Sequence, residues 1–222
     1  LNIRFLKNSE VIYMDKRNNK RKNPPQKTED NAVILDYLSL GYVQSDMSKF
    51  KGKAIAQAIG TDYFTLLELA PKRGVDLEIQ DTVYIGKGKR DKIYRVLGKL
   101  DFENLTATSR IELEYAIKDI VISREEEFVD FFNTAGPVNT RLHKLELIPG
   151  IGKKYMWDII EERKKKEFES FEDISERVPA LSDPVAMIVN RVKQELDTTT
   201  VKKGKQKYYL FTPIPRSPQN RN

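Results

Sequence analysis

The stretch LELIPGIGKKYMWDII, residues 145–160, carries the strongest local signal in the chain. At its centre stands a Pro-Gly-Ile-Gly turn, residues 149–152. Proline and glycine end helices, and glycine also permits positive φ, so one helix is predicted to end at this turn. A second helix is predicted to begin at Lys153. Between the two glycines, Ile151 is predicted to point inward and hold the two helices together.

The start of the second predicted helix is a predicted anion site. The first N–H groups of a helix have no partner within it, and the helix dipole favours negative charge there. The glycines are predicted to take positive φ and to let a ligand approach the backbone closely. Such a turn binds one phosphate regardless of the base. The predicted phosphate-binding residues are Gly150, Ile151, Gly152, Lys153 and Lys154.

This turn matches the helix-hairpin-helix motif, which binds nucleic acid without sequence specificity. The sequence departs from the motif at Met156, where a small residue, usually Ala, is preferred. An ordinary glycine-containing helical hairpin without a ligand is the alternative interpretation.

A shift of thirty residues reveals a repeat of the motif. Val178-Pro179-Ala180-Leu181-Ser182 falls on residues 148–152, and Ala186 falls on Met156. The second copy has lost both glycines and gained Asp183. The sequence therefore predicts an intact hairpin over residues 145–163 and a degenerate one over 175–193, which packs against the first and binds no phosphate.

Composition excludes several classes of protein. The 222 residues carry a formal net charge of +6, with no Cys and one His. The chain therefore cannot form disulfides or thiolate metal sites, and it cannot supply several histidines to a zinc site. No apolar run approaches the ~18 residues that a membrane-spanning helix needs. These observations predict a cytoplasmic protein, without a membrane association, that binds an anionic partner.

Both ends of the chain have the composition of tails. Residues 1–30 combine many Lys and Arg with Asn and Pro, and we expect a disordered basic tail there. Because the sequence begins with Leu1, Met14 is a candidate initiator. Residues 201–222 are predicted to form a C-terminal segment and tail that is rich in proline.

The fold class predicted between these tails is α+β. Residues 31–107 contain short strand-like runs about ten residues apart, which indicate a small OB-like β-barrel. From residue 108 to 200 the period becomes helical, which predicts a helical domain containing the tandem hairpins. One basic hairpin of the barrel interleaves charges with aromatic rings, as single-strand-binding surfaces do. Its candidate nucleic-acid contacts are Lys87, Lys89, Arg90, Tyr94 and Arg95. A solvated face over a core is the alternative there.

Several segments of the chain resemble the archaeal DUF655 family. They are residues 56–60, 63–68, 128–133, 141–147 and 168–174. The resemblance covers roughly residues 30–212. It implies an OB-like barrel joined to helix-hairpin-helix repeats and a nucleic-acid-binding role in an archaeal cytosol, and the family has no established activity.

No catalytic set is predicted. Glu162-Arg163-Lys164 is similar to the core of structure-specific nucleases, but the acid expected three residues later falls at Phe168. The only imidazole, His143, is predicted to lie in a helix that enters the first hairpin and to be structural. We expect no enzyme activity, no metal and no cofactor.

The sequence thus predicts a nucleic-acid-binding protein that holds the phosphate backbone, with RNA favoured weakly over DNA. The alternative is a protein–protein adaptor that uses the helical repeats. A metal-dependent nuclease is a third and more remote possibility.

Overall fold

The structure is a computed structural model that describes residues 28–41, 52–197 and 208–214. The predicted basic tail, residues 1–30, lies outside the described residues except for its last three positions. Most of the predicted C-terminal tail lies outside them too.

The first half of the described chain forms a five-stranded antiparallel sheet in the order β4-β1-β2-β3-β5. Its two edge strands, β4 and β5, are not paired with each other in the described part of the chain. The sheet is therefore a curled half-barrel with one open seam. Its strands are β1 (Asn31–Leu38), β2 (Ile55–Gly60), β3 (Leu66–Pro71), β4 (Thr82–Tyr84) and β5 (Ile93–Lys99).

Side chains on successive residues of a strand point to opposite faces, and both faces of this sheet are buried. On β1, Ala32 and Ile34 belong to the core enclosed by the curl of the sheet. The alternate residues, Val33 and Leu35, belong to the larger core that the sheet shares with the helices. The helices thus cover one face of the half-barrel and leave the seam open.

The second half of the chain is mainly helical. Helix α1 begins after Thr106, whose hydroxyl accepts a hydrogen bond from the N–H of Ser109 at 3.0 Å. Such a cap satisfies one of the free donors of the first turn. The helices are α1 (Ala107–Ser123), α2 (Glu125–Thr134), α3 (Lys153–Lys165), α4 (Phe171–Arg177) and α5 (Pro184–Leu196).

The α+β class, with a β part followed by an α part, is confirmed, but two local predictions are wrong. A short hairpin of β6 (Pro137–Asn139) and β7 (Leu142–His143) interrupts the helical part. Proline at the start of β6 cannot continue a helix, and a turn follows Asn139. His143 therefore ends a strand and precedes the 3-10 helix Lys144–Leu147, and it does not lie in an α-helix.

The segment 208–214 is joined to α5 through one buried carboxylate. Glu195 is 1% exposed and accepts hydrogen bonds from the N–H groups of Leu210, Phe211 and Thr212 at 2.7–3.0 Å. It also accepts a hydrogen bond from Arg191 at 2.7 Å. Because a buried charge must be paired and hydrogen-bonded, this network fixes the segment on the helices.

Candidate nucleic-acid interface

The first turn, residues 148–152, joins the 3-10 helix Lys144–Leu147 to α3. The N–H of Ile151 donates to the carbonyl oxygen of Ile148 at 3.1 Å, and the Ile151 side chain is only 3% exposed. The inward position of Ile151 and the helix start at Lys153 are therefore confirmed. The element before the turn is a single 3-10 turn, shorter than the predicted helix.

The two glycines of the first turn differ in conformation. Gly150 has φ +90°, in the region that L side chains rarely adopt, so the expectation of positive φ is confirmed there. Gly152 has φ −85° and ψ 178°, which is ordinary extended backbone, and that expectation is wrong for it. A Cβ built on Gly152 meets no atom within 4 Å. Gly152 thus leaves open space in front of α3 and needs no special backbone conformation.

The start of α3 presents free donors. Gly152 is its N-cap and supplies no side-chain hydrogen bond, and the first hydrogen bond of the helix runs from Met156 N to Gly152 O at 2.9 Å. Within the described residues, the N–H groups of Lys153, Lys154 and Tyr155 have no acceptor. Both lysines are exposed. Next to them lies an open groove of about 440 Å³, lined by Glu146, Gln194 and residues 147–152.

The second turn, residues 178–183, repeats one backbone hydrogen bond of the first, but Ala180 lacks the positive φ of Gly150. Leu181 N donates to Val178 O at 2.8 Å, thirty residues after the matching bond of the first turn. The helix then begins one residue later, because the first bond of α5 runs from Met187 N to Asp183 O. The predicted alignment of the two copies, with a constant shift of thirty residues, is therefore right within the turn. At the start of α5 it is wrong by one residue.

The start of α5 offers fewer free donors than the start of α3. The Asp183 carboxylate accepts a hydrogen bond from Ala186 N at 2.8 Å, and Pro184 at the first helical position has no N–H. The negative charge of Asp183 also repels another anion at this point. The difference between the two turns gives a physical reason for the predicted division between an intact copy and a degenerate one.

Two further side chains near the first turn bear on its electrostatics. Glu146 lines the groove and accepts a hydrogen bond from the backbone N–H of His143 at 2.8 Å. The Nδ1 atom of His143 accepts from Leu145 N at 3.1 Å, so the imidazole caps the 3-10 helix. Burial, aided by the charge of Arg163, lowers the pKa of His143, so its neutral form is favoured. The predicted structural use of His143 agrees with this geometry.

Sequence reasoning missed Trp157, the only tryptophan of the chain. It lies on α3 four residues after Lys153 and is 56% exposed. Residues four apart share a helix face, so this spacing was the available signal. An exposed indole beside free backbone donors suits stacking on an unpaired base.

The structure divides the five candidate residues of the half-barrel into two groups. Lys87 and Arg90 line one cavity together, while Lys89 is exposed on the same loop. Tyr94 and Arg95 are exposed on β5, and Tyr94 is 71% exposed. The pairing of β3 with β5 shifts register between Arg95 and Ile93, which leaves Tyr94 unpaired at a bulge. Bulges re-aim side chains, and this one directs Tyr94 outward from the edge strand.

Glu162, which belongs to the segment similar to the nuclease core, is held in ion pairs. Glu162 pairs with Lys165 at 2.5 Å and with Arg177 at 3.7 Å, and these cations lower the pKa of its carboxyl group. Among the described residues, no group of three or more His, Cys, Asp or Glu side chains is arranged to hold a metal ion. No helix in the same residues combines the length and the apolar character needed to cross a bilayer.

The fold and the site define a basic α+β protein in which a curled antiparallel sheet packs on helices that carry two similar turns. The chain belongs to the family described as "Protein of unknown function (DUF655)", whose profile matches residues 28–213. The predicted resemblance to that family is confirmed.

Two relatives of the chain are archaeal proteins. The uncharacterized protein MJ0038 of Methanocaldococcus jannaschii is 47% identical over 191 residues, which cover 86% of this chain and 83% of that protein. The crystal structure of Af1531 from Archaeoglobus fulgidus, a DUF655 protein, superposes with a TM-score of 0.74 at 42% identity. The superposition covers 83% of this chain and 100% of the Af1531 chain.

Proposed function

We propose that this protein binds nucleic acid without sequence specificity and holds the phosphate backbone at the start of α3. In this proposal the segments 144–165 and 171–196 are an intact and a degenerate helix-hairpin-helix. The half-barrel is an open OB-like barrel that supplies a second contact surface through Lys87, Lys89, Arg90, Tyr94 and Arg95. The protein acts in the cytoplasm and is not an enzyme.

One observation carries the proposal, namely the contrast between the starts of α3 and α5. The N–H groups of Lys153, Lys154 and Tyr155 have no acceptor in the described chain. At the start of α5, by contrast, the Asp183 carboxylate already accepts the N–H of Ala186, and Pro184 has no N–H. Free N–H groups together with the helix dipole bind phosphate. The two exposed lysines add positive charge at the same place, and such contacts carry no base specificity.

A single strand is the favoured ligand, with RNA favoured weakly over DNA. The exposed rings of Tyr94 and Trp157 suit stacking on unpaired bases, and proteins that recognise RNA mostly target single-stranded loops, bulges and ends. The proposal therefore expects single-stranded RNA to bind more tightly than duplex DNA of equal length.

The test is a salt titration. Fluorescence anisotropy with labelled single- and double-stranded RNA and DNA is measured on the full chain at several salt concentrations. Phosphate contacts release counterions, so the logarithm of affinity falls linearly with the logarithm of salt. Absence of binding to all four ligands at low salt would contradict the proposal.

An adaptor that binds another protein is the second candidate function. The observation that favours it is the exposure of large apolar side chains on the helices, Trp157 on α3 and Ile111 and Tyr115 on α1. Large exposed aromatic side chains are typical anchors of protein interfaces. An adaptor predicts loss of partner binding on Trp157→Ala and no salt-dependent binding to nucleic acid.

A further inference from the structure

A second cavity, of about 300 Å³, lies at the open seam of the half-barrel. Residues that follow β4 line one side, and residues of β3 and β5 line the other. Its apolar wall is formed by Leu67, Ile85 and Val96, of which the first two are buried. The volume is at the lower end of the range for small-ligand pockets.

One buried polar atom in this cavity has no partner. Thr65 is 7% exposed and lines the cavity, and its hydroxyl makes no hydrogen bond within the described structure. Buried polar side-chain atoms nearly always have a partner, so this hydroxyl can pair with a polar group of a ligand once the Thr65 side chain turns toward the cavity. The other buried hydroxyl without a partner in the described chain, that of Ser109, does not line the cavity.

The backbone on either side holds Thr65 in place. The buried Glu29 carboxylate accepts hydrogen bonds from the N–H groups of Asp62, Tyr63 and Thr65 at 2.9–3.2 Å. Phe64, between the last two, has φ +56°, which is uncommon for a bulky residue and is held by these bonds. The backbone that carries Thr65 is therefore fixed.

The exposed part of the lining is mainly basic. Lys87 and Lys99 are exposed and Arg90 is partly buried, so three cations surround the cavity. Two carboxylates, Glu29 and Asp30, also line it. Three cations against two carboxylates leave the lining with a net positive charge, and both oxygens of Glu29 are already engaged by backbone donors.

We propose that this cavity binds one unstacked nucleotide. The base lies against the apolar wall with a polar edge on the Thr65 hydroxyl, and the phosphate lies against the three cations. A nucleotide has a flat ring with polar edges and an attached phosphate. The apolar wall suits the ring, the unpartnered hydroxyl suits a polar edge, and the cations suit the phosphate. The same chemistry is offered by a free nucleotide and by a nucleotide within a strand. If the bound nucleotide is part of a nucleic-acid strand, the inference rests on the proposed function, because the first hairpin then holds another part of the same phosphate backbone.

The test blocks the cavity without touching the first hairpin. The side chain of Val96 forms part of the apolar wall and is only partly buried. Val96→Phe is therefore expected to fold and to fill much of the cavity. Val75→Phe is the matched control, since Val75 is a partly buried valine packed on the same apolar cluster and does not line the cavity. Thr65→Val removes only the hydroxyl and keeps the branched shape.

Affinities are measured on the full chain for UMP, for AMP, and for single-stranded RNA of about ten nucleotides with normal or abasic sites. We expect Val96→Phe to weaken binding of normal RNA or of the mononucleotides about tenfold, and Thr65→Val to weaken it several-fold. Val75→Phe is expected to leave binding unchanged, and abasic RNA is expected not to distinguish the variants.

The outcomes separate the cavity from the hairpin. Tight RNA binding that is indifferent to both Val96→Phe and Thr65→Val overturns the nucleotide cavity and leaves the proposed function standing. Mononucleotide binding that these variants weaken, without RNA binding, supports the cavity and overturns the proposed function. Absence of both kinds of binding overturns both proposals.

Discussion

The carboxylate of Asp183 accepts a hydrogen bond from the N–H of Ala186 at 2.8 Å and so closes the start of α5 to other anions. At the corresponding N-cap of α3, Gly152 has no side chain and leaves the donors free. A single substitution at Gly152 can therefore give α3 the carboxylate cap that α5 has.

Gly152→Asp is expected to weaken nucleic-acid binding at least tenfold, because the new carboxylate caps α3 and repels phosphate. The free energy of unfolding is expected to stay the same or rise by a few tenths of a kcal/mol, since Asp is a better N-cap than Gly. The backbone of Gly152 accepts a side chain without strain. Anisotropy titrations and urea unfolding check both expectations.

Ser182→Asp is the matched control for this substitution. It adds the same charge in the second turn, beside a helix start that is already capped. Equal losses of affinity from the two substitutions in folded protein would mean that charge alone, and not the start of α3, explains the effect.

Replacing Lys153 and Lys154 by Ala is expected to weaken binding only in part, because the backbone donors remain. The slope of log affinity against log salt should fall by up to about two, one for each lost phosphate contact. Replacing the exposed Lys118 and Lys164 removes the same charge elsewhere and should change the slope less. A slope that falls equally for both pairs would indicate a diffuse electrostatic attraction.

Trp157 provides an intrinsic probe of the interface because it is the only tryptophan. Since it shares a helix face with Lys153, single-stranded RNA is expected to quench its fluorescence over the same concentrations at which anisotropy rises. Under those conditions Gly152→Asp should show little quenching. Unchanged fluorescence during saturable binding would place the ligand away from α3.

His143 is expected to make stability depend on pH. Burial lowers its pKa in the folded protein below the ~6.5 of an unfolded chain. The unfolded state therefore binds the proton first as the pH falls, and the free energy of unfolding falls with it. The stabilisation is fully present above about pH 6.5 and is lost as the pH falls through the folded pKa.

His143→Asn keeps a side-chain acceptor for the N–H of Leu145 but cannot titrate in this range. Urea unfolding of both proteins between about pH 5 and 7.5 measures the difference, which should shrink toward acid pH. Parallel pH profiles would contradict the assignment. Because the chain has a single His, no other imidazole contributes.

Glu195→Gln is expected to destabilise the fold by about 3 kcal/mol, since it breaks a buried ion pair and leaves Arg191 without its carboxylate. Arg191 also donates to the carbonyl oxygens of Leu147 and Tyr208, so the change reaches the start of the first turn. Glu176→Gln, at an exposed position of α4, should change stability by less than about 0.5 kcal/mol. Equal urea midpoints for the two variants would show that the network contributes little.

The features that the sequence predicted correctly depend on local rules. Proline and glycine at residues 149–152 ended one element and began α3 at Lys153, and the apolar Ile151 had to be buried between them. The sequence analysis predicted short strand-like runs in residues 31–107 without singling out β2, whose burial depends on contacts distant in sequence. Strand β2 contains small residues such as Ala56 and Ala58, which have weak strand preference and are buried only by the curl of the sheet.

The same distinction applies to the candidate sites. The free donors of α3 follow from the local sequence, because Gly152 supplies no cap. The later start of α5 also follows from a local pattern, which the constant shift of thirty overlooked, since Asp183 is a good N-cap and Pro184 suits the first helical position. The unpartnered hydroxyl of Thr65 depends on Glu29, thirty-six residues earlier, and no local pattern indicates it.

Amide chemical shifts test the central claim most directly. Isotope-labelled full-length protein is titrated with single-stranded RNA of about ten nucleotides at low salt, and backbone N–H resonances are followed. We predict that the amides of Lys153, Lys154 and Tyr155 shift, that those of Val185 and Ala186 do not, and that the shifts reverse as salt is added. Saturable RNA binding with no shift at the start of α3 would contradict the account.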